Sequence, residues 1–105
     1  MLTTTSEQIA GYQIVETLGI ARGNTIRARH VGTDIVAGLR NLVGGEVSEY
    51  TKLMGEAREQ AHDRMMEDAR RMGADAVVSV RFSTSMIAQG AAEILAYGTA
   101  VKLGN

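Results

Sequence analysis

The sequence predicts an α+β fold: a small antiparallel or mixed sheet with a β-α-β-β core, packed on one long amphipathic helix, plus a short helix. Three observations carry this. Apolar residues recur every three to four positions over residues 49–72. From Ala76 the apolar period changes to two and runs toward Met86, then resumes over residues 93–103. An earlier alternating run, residues 12–26, is rich in β-branched side chains.

Residues 2–5 are expected to form a short β segment, followed by a turn over residues 6–11. In the strand over residues 12–26, Ile14, Glu16, Leu18 and Ile20 alternate with Val15, Thr17, Gly19 and Ala21. The Arg22-Gly23-Asn24 step reads as a bulge or bend, because Gly and Asn tolerate positive φ. Thr33 or Asp34 then caps a short helix carrying Ile35, Leu39, Leu42 and Val43, and Gly44-Gly45 ends it.

The long helix begins at Ser48, a good N-cap. Tyr50, Leu53, Met54, Ala57, Ala61, Met65, Ala69 and Met72 fall on one stripe, and Glu56, Glu59, Asp63, Glu67 and Arg70 on the opposite face. Arg70 and Arg71 suit the negative end of the helix dipole, and Gly73 is the expected C′ residue. In the next strand Ala76, Val78, Val80 and Phe82 should share one face, and Val77, Ser79, Arg81 and Ser83 the other. Residues 88–91 make the turn of a hairpin, and the last strand presents Leu95, Tyr97, Val101 and Leu103.

The chain has 105 residues, one Phe, three Tyr and no Trp, which is room for one domain, residues 1–105, with a small aliphatic core. Large rings bury about 150–250 Å² each, so a core without them gains from surface buried between copies. The net charge is −1, and apart from Arg70-Arg71 the cations are scattered. No nucleic-acid partner is expected, since such binders carry a basic stripe. The absence of cysteine excludes disulfides and thiolate metal sites. No apolar run approaches the ~18 residues a membrane span needs, and the start lacks a signal-peptide pattern, so no membrane partner and a cytoplasmic location are expected.

Several residues together resemble a known family. They are residues 34–41 (Asp-Ile-Val-Ala-Gly-Leu-Arg-Asn) with Gly44-Gly45, Tyr50, Ala57-Arg58, the run Gly73-Ala74-Asp75-Ala76-Val77-Val78-Ser79-Val80-Arg81-Phe82, and Gly98-Thr99-Ala100-Val101. This pattern is similar to the YbjQ-like family of small bacterial and archaeal proteins, over essentially the whole chain. The resemblance implies a β-α-β-β subunit similar to dodecin and a ring-shaped homo-pentamer. The family also carries a heavy-metal-binding label, with which a cysteine-free chain departs from any thiol-based version.

The candidate ligand-binding residues are Asp34, Arg40, Glu46 and Arg81. Arg81 on a sheet face needs a carboxylate partner if buried, so this cluster reads as an intersubunit or helix–sheet ion pair, or as an anion pocket at a subunit boundary. His30, after the first long strand, and His62, on the helix, are weak metal candidates, because a metal wants three or four converging ligands and Glu59 three before and Glu67 five after His62 give no such pattern as a His at i+4. His62 reads as part of a solvated helix surface. No cofactor motif and no nucleophile–base spacing is present; the glycines form no phosphate-cradling loop, and Gly19 and Gly98 read as points of close backbone approach. The methionines read as packing residues, with Met66, off the main stripe, a candidate interface contact. The expectation is an oligomeric binding or scaffold protein without catalysis. A metal-binding protein using oxygen and imidazole ligands from adjacent subunits, and an enzyme with a composite site near Asp34, Arg40 and Arg81, stand as alternatives. A small molecule or a metal ion is the partner class beyond the chain itself.

Overall fold

The structure, a computed structural model, describes residues 1–28, 48–88 and 90–104. The elements are β1 (Leu2–Thr3), β2 (Gln13–Ala28), α1 (Ser48–Arg71), β3 (Ala76–Ala88) and β4 (Ala91–Gly104). The four strands form one mixed sheet in the order β1-β3-β4-β2. β1 runs parallel to β3, while β3–β4 and β2–β4 are antiparallel. The α+β architecture expected from the periodicities is therefore present. The expected short helix lies outside the described residues.

α1 crosses one face of the sheet, over β2 and β4. Its contact stripe is Ala57, Ala61, Met65 and Ala69, all fully buried. The stripe repeats every four residues and three of its four members are alanines, which bring the helix backbone close to the sheet, and Gly23 receives it. A Cβ on Gly23 would sit 2.2 Å from Met65 N and 2.5 Å from Ala61 O. Gly23 is in regular register with Ala96, so the expected bulge at residues 22–24 is not there; its lack of a side chain serves packing instead. Gly98 has the same role, with Val77 Cγ1 2.6 Å from the position a Cβ would take. Gly19 does not: nothing crowds it, but its φ of +132° lies in the region that favours glycine. The helix closes as expected at Gly73, φ +83°, where Gly73 N–H donates to Arg70 O and Ala74 N–H to Ala69 O.

The irregularities of the sheet fall elsewhere and redistribute the faces. β2 shifts register between Ile14 and Glu16 and again between Thr17 and Gly19. Each shift inserts one residue and turns the following side chains over. Ile14 and Leu18, expected on one face, are thereby split: Leu18 packs on the helix-side core, and Ile14 on a second cluster of Ala76, Val78 and Val101 on the outer face. β3 shifts between Val78 and Arg81, where Ser79 takes a φ of +55°, and again between Met86 and Ala88. Val77 and Val80 consequently share the helix-side core while Ala76 and Val78 face outward, which corrects the simple alternation. Ile9 covers the outer cluster from the segment between β1 and β2.

Candidate functional site

Of the expected site residues, Asp34, Arg40, Glu46 and His30 lie outside the described residues. Arg81 follows the β3 bulge and is exposed. Its Nη1 donates to Thr5 O at 2.9 Å and to Val80 O at 2.8 Å. Among the described residues it makes no ion pair; it holds down the chain after β1.

His62 corrects the reading of a solvated helix surface. It is half-buried, with Nε2 3.0 Å from Thr3 Oγ1. Its ring stacks on Phe82, with centroids 6.4 Å apart and planes at 22°. Arg81 and Phe82 are consecutive and point to opposite faces of β3. The N-terminal segment is thus gripped from both sides: Thr3 by His62 on the helix side, Thr5 by Arg81 on the outer side. Backbone bonds continue the grip, from Thr4 N–H to Val77 O, Val80 N–H to Thr4 O and Ser79 N–H to Ser6 O. Sequence spacing could not reveal this, because Thr3 and His62 are 59 residues apart. Met66, the candidate interface contact, is half-buried against the core of its own chain.

Two open hollows flank Tyr12. One, about 470 Å³, is lined by Met1, Leu2, Tyr12, Asp75, Leu103 and Gly104; the other, about 400 Å³, by Glu7, Gln8, Tyr12, Gln13 and Ile14. Asp75 in the first already accepts a bond from Leu103 N–H at 2.9 Å. Neither hollow gathers the convergent polar groups of a specific ligand site.

The surfaces without cover are more distinctive. The last eight residues of β3, 81–88, are all exposed, Met86 at 79%. Phe82, Met86 and Ile87 are apolar and stand on both faces of this arm. The free border of β2 is treated differently. Its outward Arg22 N–H donates to Asp68 Oδ2 at 3.0 Å, and Asn24 O accepts from Arg64 Nη1 at 2.6 Å. Both partners project from α1, and Arg71 lies 3.6 Å from the other oxygen of Asp68.

Among the described residues no three His, Cys, Asp or Glu side chains gather at ligand distance. His62 is committed to Thr3, and the chain contains no cysteine. The described residues therefore do not fit a heavy-metal site. No described helix is long and apolar enough to cross a membrane.

Comparison with known proteins places residues 1–104 under a family model, YbjQ_1, described as "Putative heavy-metal-binding". A UPF0145 protein of Methanosarcina acetivorans is 63% identical over 105 residues, covering 100% of this chain and 99% of that protein. A UPF0145 protein of Thermus thermophilus is 54% identical over 103 residues, covering 98% and 90%. Among solved structures, a protein of unknown function of the DUF74 family from Pediococcus pentosaceus superposes with a TM-score of 0.67 at 15% identity, covering 99% of this chain and 98% of that one, a likeness of fold.

Proposed function

The chain belongs to the YbjQ family, and on that premise we propose that it works as a homo-oligomeric binding or scaffold module, built from copies of this subunit and without catalysis of its own. The observation that carries the reading is the bare arm of β3, exposed on both faces over eight residues. Area supports it. The chain exposes 6892 Å², whereas a folded monomer of its mass exposes about 5,700 Å². The excess, about 1,200 Å², exceeds the roughly 800 Å² each partner contributes to a standard interface. Shape agrees: the extents are 55 × 24 × 16 Å, an elongated subunit.

The finer form of the proposal is a ring of five, as the family resemblance implies, with ligand residues Arg81, Asp34, Arg40 and Glu46 at the subunit boundary. Light scattering on a sizing column tests the assembly. A mass of several subunits at micromolar concentration is expected; a mass of 11.2 kDa sinks the proposal. A second reading follows from the family's description: a metal held by oxygen and imidazole ligands shared between copies. Elemental analysis of the purified protein decides it, and absence of stoichiometric metal after loading removes it.

A further inference from the structure

The two borders of the sheet differ in a way that identifies a contact. Along β3, Val80 N–H turns away from β4 to reach Thr4 O. Backbone groups alternate along a strand, so Phe82, Thr84 and Met86 present their N–H and C=O to that same open side. Past Ser6 no described residue pairs there. Nature blunts free edges with prolines, lysines or side-chain cover. The β2 border has such cover from Asp68 and Arg64; among the described residues the β3 border over residues 82–86 has none of these, and its register shifts fall outside the stretch, before Arg81 and after Met86.

The open stretch also reads nearly the same in both directions about Thr84: Phe82-Ser83-Thr84-Ser85-Met86. We propose that it pairs antiparallel with the same stretch of a second copy, about a two-fold axis at Thr84, making one continuous sheet. Thr84 then faces Thr84 of the second copy, Ser83 faces its Ser85, and Phe82 faces its Met86. Ring against thioether is a favourable contact, and paired threonines and serines stabilise facing strands. The outward-facing pairs 82/86, 84/84 and 86/82 each exchange two backbone bonds, about six in all. Both copies of α1 lie on the same face of the joined sheet.

The inference rests on the reading that the chain self-associates, and it names the surface. A two-fold contact uses one patch twice and closes on itself. By itself it makes a dimer; within a ring assembly it joins two rings.

The chain's lack of cysteine makes the test direct. In the paired strands Thr84 lies about 5.5 Å, Cα to Cα, from its counterpart, within the range a disulfide spans. Phe82 is displaced from its counterpart by four residues, about 13 Å, beyond that range. Under mild oxidation Thr84→Cys should form a covalent dimer at least about tenfold faster than Phe82→Cys, which is also at an exposed position. Thr84→Pro removes an N–H that faces away from β4, so the subunit keeps its fold while the native mass falls by half. Equal cross-linking of the two cysteine variants, or an unchanged mass for Thr84→Pro, overturns the inference while an oligomeric wild type leaves self-association standing. A monomeric wild type overturns both.

Discussion

Gly23→Ala is the sharpest perturbation of this fold. The added methyl would meet Met65 N at 2.2 Å, Ala61 O at 2.5 Å and the Arg64 carbonyl carbon at 2.6 Å. These are helix backbone atoms, which cannot rotate aside as a side chain could. Ordinary contact lies near 3.5 Å, so α1 must lift from β2 by about 1 Å. A gap of that size forfeits a quarter to a half of the dispersion energy beneath Ala57, Ala61, Met65 and Ala69. The expected loss is about 3 kcal/mol, the upper end of overpacking costs. For a domain near this size that lowers Tm by about 12 °C or more, read by thermal unfolding at fixed protein concentration. Gly55→Ala is the control: it lies within α1, no atom lies nearer than 3.9 Å to the new methyl, and it should stabilise by about 0.5–1 kcal/mol. A Gly23→Ala protein within about 0.5 kcal/mol of wild type would refute the close helix–sheet contact.

Three further outcomes are expected. Thr25→Val removes a buried hydroxyl that donates to Ala57 O at 2.7 Å, and should cost about 1 kcal/mol in urea unfolding; no loss would mean the bond is idle. His62→Ala and Arg81→Ala each release one grip on the N-terminal segment, so hydrogen exchange at the Thr4 amide should rise about fivefold, the equivalent of about 1 kcal/mol, with Tm nearly unchanged. Unchanged exchange in both would show that the backbone bonds alone hold it. Asp68→Ala combined with Arg64→Ala should cost less than about 1 kcal/mol yet raise light scattering on storage, since it strips the cover from Arg22 and Asn24. A clear solution would show that the border needs no guard.

The long helix was legible because its stripe and both ends are local signals: Ser48 opens it, Gly73 closes it, and Ala57, Ala61, Met65 and Ala69 mark its buried side. The strands were legible as strands but not as faces. A period-two pattern assumes an unbroken pleat, and the shifts at Val15, Leu18 and Ser79 break it without a residue that announces them. Ser79 is the clearest instance, a non-glycine at positive φ whose N–H is paid back by Ser6 O. Gly23 shows the converse: the residue type suggested a bend, and only the proximity of α1 reveals that it makes room for a helix. At the candidate site, Arg81 was singled out for its charge, yet it acts on a backbone carbonyl. His62 gained its partner Thr3 from the opposite end of the chain, a pairing no spacing rule encodes.

Among the described residues, the cover over the β2 border comes from the helix. Asp68 and Arg64 reach Arg22 and Asn24 only while α1 is docked, so undocking uncaps a sixteen-residue strand bearing Val15, Ile20 and Ile26 in the same event that opens the core. Heat should therefore convert this protein to insoluble matter as soon as the helix leaves, and its lifetime when warm is governed by the rate of that departure more than by the equilibrium it belongs to.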